Sequence, residues 1–423
     1  QNKALLTDIL RTDWGFEGFV HSDWIMGVYK TYGAAAGLDI ENPEPLVFGD
    51  KLIAAVEAGH IEPRAIDAAC RRVLINQYRF ACAEDPLPAY PIDLVACDAH
   101  IALAREAAEK SAVLLANDGV LPLDATKITK LAVLGRLASL ENTGDNGSSR
   151  VRAPYVVTAL AGLTAWLGAD RIVTADEGDL AGARAAVAIA DAVVVVVGYT
   201  AEEEGEFIPG DLTLGQEGSL VPDDTHVPDE IKAQRRARPN SIGGDRADLD
   251  LPREQIELIA AATQSGKPVI VVIVAGSAVM VEDWHDGANA IVQTFYSGME
   301  GGTALARLLS GAVVPSGRLP FTVARRAEDY PFFDLNATAT TYDRWHGYAK
   351  FAAQGLTARY GFGHGLSYTT FAYRAAQARV HGDTIRATLA VTNLGIVAAE
   401  TVVLAFIAPP ASGVERWPEA LAS

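Results

Sequence analysis

Two carboxylates stand where the chain leaves a strand-like run for a polar turn. Asp23 follows Phe19-Val20 in GFVHSDWIMG, with the indole of Trp24 beside it. Glu204 lies in YTAEEEGEF, where the apolar run DAVVVVVG gives way to a long irregular segment. A carboxylate at the carboxyl end of a barrel strand is placed for catalysis. Two carboxylates from separate loops can supply the nucleophile and the proton donor of glycosidic cleavage. Each also has a plainer use, Asp23 as a turn-forming or capping residue and Glu204 as part of a solvated acidic loop. Cys70, Cys82 and Cys97 form no CxxC pair and have no His at ligand spacing, so they read as ordinary thiols; no metal and no cofactor is expected.

The elements that would position these carboxylates follow from hydrophobic period. In NKALLTDILRTDWGF, Leu5, Leu6, Ile9 and Leu10 recur at helical spacing, and the strand-like Phe19-Val20 and AGLDIENP come next. Helix, strand, loop, strand is the rhythm of the last units of a β/α barrel, so residues 1–45 read as a barrel remnant. Residues 46–98 read as a helical segment and linker, with DKLIAAVEAG, then PRAIDAACRRVLINQYRF opened by Pro63, then the Pro-punctuated DPLPAY. Over 99–330, ALAREAAEKSAVLL predicts a helix, and KLAVLG, ADAVVVVVG, PVIVVIVAG and NAIVQTFY predict strands. Their near-continuous apolar runs imply strands buried on both faces, hence a mainly parallel sheet covered by helices. The stretch between Tyr199 and Leu251 has neither period, and a loop of that length in a compact domain is usually functional or disordered. Residues 331–365 read as a linker, and 366–423, with TIRATLAVTNL and ETVVLAFIA at period 2, as a partial antiparallel β-sandwich.

Composition bounds the classes of function. The 423 residues are 49% hydrophobic, enough to bury sizeable cores. A formal charge of −18 argues against a nucleic-acid partner, which calls for a basic face. No run of about 18 apolar residues spans a membrane, and no membrane partner is expected. The compartment stays open, secretion or a periplasmic location being favoured should the full-length protein carry a signal peptide.

In this order, GFVHSDW, AGLDIENP, REAAEKSAVLLANDGVLPL, KLAVLG, NGSSRV, GGDRADLDLP, VVIVAGSAV, FYSGMEGGTALARLLSGAVVPSGRLPFT, YGFGHGLSYTTF and ASGVERW resemble the β-glucosidases of glycoside hydrolase family 3. The resemblance runs from Gln1 to Ser423. It implies an α/β fold in three parts: the end of a (β/α)8-type barrel, an α/β sandwich domain, and the start of a fibronectin type III-like β-sandwich. It implies that Asp23, in the SDW motif, is the nucleophile of a retaining hydrolase. The acid/base of the family is a Glu followed by Gly on a loop of the second domain, ahead of a GDR motif. Glu204-Gly205, with Gly244-Asp245-Arg246 downstream, fits that pattern. Glu203 and Glu206 crowd the same loop and are its nearest rivals. Trp24 is a candidate stacking wall for the sugar, and Asp245 with Arg246 a candidate ion pair anchoring the long loop.

The implied substrate is a β-glucoside or gluco-oligosaccharide cleaved at its non-reducing end, a β-xylosidase or exo-glucanase being the close alternatives. Family members line the sugar subsite with an Asp, an Arg and a Lys-His pair upstream of the SDW strand, positions this chain does not contain. A fragment or a split protein is therefore expected, with the amino-terminal barrel segment as a possible separate partner chain and a homo-oligomer not excluded. A non-catalytic carbohydrate-binding or interaction fragment is the reading from a different class. A nucleotide-binding domain is disfavoured, because KLAVLG is followed by neither GxGxxG nor GxxxxGK[ST].

Overall fold

The computed structural model describes residues 2–24, 27–83, 91–145, 147–206, 244, 246, 248–334, 337–410 and 416–422. It divides into two compact units, Gln1–Ile92 and Asp93–Ser423.

The first unit opens with a π-helical segment, Ala4–Asp13, in which the amphipathic pattern winds more loosely than an α-helix. It is followed by β1 (His21–Trp24), α1 (Tyr32–Ala35) and β2 (Ile40–Asn42). β1 and β2 pair in parallel, His21 opposite Ile40 and Trp24 opposite Asn42. α2 (Asp50–Glu57) and α3 (Pro63–Ala81) complete the unit. Pro63 is at the start of α3, where its missing N–H costs no helical bond. Small cores form around Val28, Leu38 and Val47 and around Leu52, Ala55 and Ile61. α3 buries only Ala69 and leaves Leu74, Tyr78 and Phe80 exposed.

The second unit is built on a six-stranded sheet. Its strands are β3 (Val113–Asn117), β4 (Leu131–Leu134), β5 (Ile172–Ala175), β6 (Ala192–Gly198), β7 (Val269–Val274) and β8 (Ala290–Gln293), in the order β3-β8-β7-β6-β4-β5. All neighbours are parallel except β3 and β8. α4 (Asp98–Ser111), α5 (Ala159–Leu167), α6 (Leu180–Ile189), α7 (Ala201–Glu204), α8 (Arg253–Thr263) and α9 (Gly301–Leu309) accompany it. Val193, Val195 and Val197 pack with Val187 of α6 and with Leu258 and Ile259 of α8. Val194 and Val196 face the other way, toward Leu163 of α5 and Leu305 and Leu309 of α9. Burial on both faces is why these strands lack alternation.

β1 falls on HSDW, which the sequence reading places in a turn after Phe19-Val20, and two strands of the six-stranded sheet also differ from expectation. ALAREAAEKSAVLL is not one helix: α4 ends at Ser111 and Val113–Asn117 pairs antiparallel with β8. A short apolar run adjoining a helix carries no period of its own, so tertiary pairing decides it. β5 has only partly buried and exposed positions at the sheet edge, and its sequence shows no buried-strand run.

Beyond the sheet come α10 (Gly347–Gln354), an antiparallel hairpin of β9 (Phe371–His381) and β10 (Thr384–Asn393), and a short pair, β11 (Phe406–Ile407) with β12 (Ala420–Leu421). Tyr348 gathers Phe362 at 5.1 Å and Phe406 at 5.5 Å. The strands of the expected partial sandwich form two separate two-stranded sheets among the described residues. All of β10 is exposed.

Candidate active site

β6 delivers the acidic loop. The chain leaves its carboxyl end and turns at Thr200 into the four-residue α7. Thr200 caps it: its hydroxyl accepts from Glu202 N–H at 3.2 Å, while the Glu203 carboxylate accepts from the Thr200 amide at 2.8 Å and its hydroxyl at 2.7 Å. That reciprocal arrangement is a capping box. Glu203 is thereby committed to holding the turn.

Glu204 is committed more fully. Its side chain is only 9% exposed, and both oxygens are occupied. Oε2 accepts from Gly276 N–H at 2.7 Å and from Tyr296 O–H at 2.6 Å. Oε1 accepts from Ser277 O–H at 3.2 Å and faces Arg246 Nε at 3.2 Å. Arg246 stacks over the Tyr199 ring at 4.4 Å and also donates to Ser277 Oγ and the Ala278 carbonyl. Burial and then the hydrogen bond to Glu204 push the Tyr296 phenol far up, so it acts as a donor. A carboxylate with four donors has both of its oxygens engaged. The ion pair of Arg246 is thus with Glu204; Asp245, its expected partner, lies outside the described residues.

Gly205 follows for a backbone reason. A Cβ there would lie 2.3 Å from the Ala201 carbonyl oxygen, to which the Gly205 amide donates. Its own carbonyl accepts from Gly244 N–H at 3.0 Å, joining the two ends of the long segment.

Glu206 is different: it is exposed. Its backbone N–H donates to Asp145 Oδ1 at 2.8 Å, and its carboxylate Oε2 accepts from Ser148 N–H at 2.5 Å. Asp145 also accepts from Gly147 N–H at 2.8 Å and from Ser149 O–H at 2.5 Å. Burial pushes the Asp145 carboxyl up, but the Ser149 hydroxyl and the amides of Glu206, Gly147 and Ser149 outweigh it and hold it below the usual carboxylate range. Beside Glu204 opens a cleft of about 1050 Å³ whose wall includes Tyr296, Tyr330, Phe332 and Phe333.

In the first unit, Asp23 projects from β1 and is exposed. One carboxylate oxygen accepts from Trp24 N–H at 2.7 Å, and Trp24 is 51% exposed. The strand beneath is fixed by Ser22, which is buried, donates to the Asp23 carbonyl and accepts from Asn42 N–H at 2.9 Å. A further support is Asp39, whose side chain is fully buried: it accepts from Val20 N–H at 2.8 Å and pairs with Arg11 at 2.7 Å and Arg72 at 2.5 Å.

Asp39, Asp145, Ser277 and Tyr296 are not singled out by the sequence reading. Their signal is present nonetheless, in AGLDIENP, in the turn ahead of NGSSRV, in VVIVAGSAV and in FYSGMEGG. What the sequence does not carry is that the last two motifs and GGDRADLDLP converge on one carboxylate. Among the described residues, no group of three His, Cys, Asp or Glu side chains is placed to hold a metal ion.

Comparison with known proteins gives two family matches, the Glycosyl hydrolase family 3 C-terminal domain over residues 112–368 and the Glycosyl hydrolase family 3 N terminal domain over residues 1–75. An exo-α-(1→6)-L-arabinopyranosidase of Bifidobacterium longum is 31% identical over 98% of the chain and 52% of its own length. A β-glucosidase of Bacteroides ovatus is 30% identical over 98% of the chain and 57% of its own length. A β-xylosidase of Formosa agariphila is 29% identical over 98% and 58%, respectively. The crystal structure of a Bifidobacterium adolescentis family 3 β-glucosidase superposes with a TM-score of 0.79 at 29% identity, covering 100% of this chain and 58% of that one. The chain spans about half the length of the curated relatives it matches, 52% for the Bifidobacterium longum protein.

Proposed function

Because the chain belongs to glycosyl hydrolase family 3, we propose that it takes part in retaining hydrolysis of a terminal sugar from a β-glucoside. Asp23 is the nucleophile: ionised, it attacks the anomeric carbon to form a glycosyl ester as the leaving group departs. The proton donor to the leaving oxygen is Glu206, which afterwards takes a proton from the water that cleaves the ester. The observation that carries this assignment is the contrast within one loop. Glu204 has all its oxygens engaged and Glu203 serves a cap, whereas Glu206 is exposed and its Oε1 has no partner among the described residues. Glu204, the residue favoured by the Glu-Gly pattern, anchors the loop instead. The aromatic cleft beside it suits the flat faces of a leaving group.

Glucose is the first choice of sugar. The relatives' names include arabinopyranosidase and xylosidase activities, so the test is a panel. Aryl β-D-glucoside, β-D-xyloside and α-L-arabinopyranoside are offered to the chain alone and to the chain mixed with a polypeptide that completes a barrel around β1 and β2. We expect the highest kcat/KM on the glucoside and loss of activity on Asp23→Ala. Turnover that survives this substitution overturns the assignment, and a stronger preference for either pentoside overturns the choice of sugar.

A further inference from the structure

Glu206 lies just past the end of α7, and a proton donor beyond the end of a helix needs something rigid to aim it. Helix α7 does not reach it, since its last helical residue is Glu204. What reaches it is a turn more than fifty residues upstream. Asp145 Oδ1 accepts the Glu206 amide at 2.8 Å, and Ser148 N–H donates to the Glu206 carboxylate at 2.5 Å. The turn is itself pinned, Asp145 accepting from Gly147 N–H and Ser149 O–H. Gly147 is buried, and the space a side chain would fill is taken by Glu206: a Cβ on Gly147 would be 2.5 Å from Glu206 Oε2 and 2.7 Å from Glu206 Cβ. Backbone, carboxylate and side-chain stem of Glu206 are thus each held by this one turn.

We propose that Asp145 is a positioning residue for the proton donor, and that Asp145, Gly147, Ser148 and Ser149 form a socket which aims Oε1 of Glu206 at the leaving group. This rests on the reading of Glu206 as acid/base. Aiming matters because proton transfer requires the donor within hydrogen-bond reach of the leaving oxygen, and misplacement by about 1 Å can cost on the order of 100-fold. Since Ser148 occupies Oε2, Oε1 is the oxygen that carries the proton.

The inference separates charge from geometry, because Asn at 145 keeps an oxygen that accepts the Glu206 amide while Ala does not. In the full chain, hydrogen exchange at the Glu206 amide should be faster by about 10-fold in Asp145→Ala and near wild type in Asp145→Asn. In the active enzyme, Asp145→Ala should lower kcat by about 10-fold on glucosides with poor leaving groups, with KM little changed and activated aryl glucosides nearly unaffected. Asp145→Asn should restore most of that loss. Gly147→Ala, which leaves Asp145 in place and crowds Glu206, should reproduce the Ala phenotype. Unchanged exchange in Asp145→Ala, or equal losses on both substrate types, overturns the socket. Glu206→Gln tells the two readings apart. If it leaves poor-leaving-group substrates untouched, the acid/base assignment fails; if it abolishes them while Asp145→Ala does nothing, only the socket fails.

Discussion

Glu204 and Glu206 stand two positions apart and do opposite things with the same functional group. The first gives up both oxygens to four donors and becomes part of the scaffold; the second is exposed, with one oxygen unpaired among the described residues. Breaking a buried pair leaves its partner charged and unmatched, so Glu204→Ala should destabilise the second unit by about 3 kcal/mol. A lower urea midpoint at unchanged slope would report it, while Glu206→Ala should leave the midpoint nearly fixed. A pattern of Glu before Gly cannot distinguish these roles, because Gly205 is demanded by its contact with the Ala201 carbonyl and not by any substrate. At Asp23 the chemistry is more direct. Asp23→Ala in a completed enzyme should remove almost all turnover, and azide should restore part of it by attacking from the vacated space. Activity within a few-fold of wild type would take Asp23 out of the mechanism.

At the level of elements, legibility follows burial. β6 and β7 are apolar at nearly every position because helices cover both faces, and the sequence shows them plainly. β3 hides behind the pattern of α4, and β5 behind its exposed edge. The partners of Glu204 are hidden for another reason: Gly276 and Tyr296 lie just past the carboxyl ends of β7 and β8, and the parallel order β8-β7-β6 sets those ends along the same edge as that of β6. Elsewhere a charged clasp ties elements together. Glu282 accepts from Arg359 and faces Arg325 at 3.3 Å. The hydrogen bond from Arg359, opposed by burial, holds the Glu282 carboxyl below its usual range. Its stabilisation is therefore whole above about pH 4.3, the unperturbed value, and is lost as pH falls through the lower folded value. Glu282→Gln should make the protein less stable at pH 7 and flatten the loss of stability on acidification, as read from urea midpoints at pH 7 and below pH 4.

At the scale of the whole molecule the two units differ in how well they support themselves. The sheet of the second unit is six strands wide with a core on each face, whereas among the described residues of the first unit β1 pairs with β2 alone and Leu74, Tyr78 and Phe80 of α3 are left in solvent. Parallel strands ordinarily occur buried inside larger sheets, and an isolated pair is marginal. The chain expressed by itself should therefore be inactive, with limited proteolysis cutting the first unit and the β9–β10 hairpin before the six-stranded sheet. Ordinary turnover of an aryl β-glucoside by purified chain, abolished in Asp23→Ala, would contradict that expectation.

The hydrogen bond from Gly244 to Gly205 and the pairing of Arg246 with Glu204 draw together the points where the chain departs and comes back. Fastened at this neck, the carboxylates at its base keep their contacts whatever the number of residues between Gly205 and Gly244. Closing a longer loop adds only about 0.6 kcal/mol for each doubling in length. The neck is in effect an insertion port: descent or an engineer can exchange whatever is threaded through it while the carboxylates at its base keep their separate tasks.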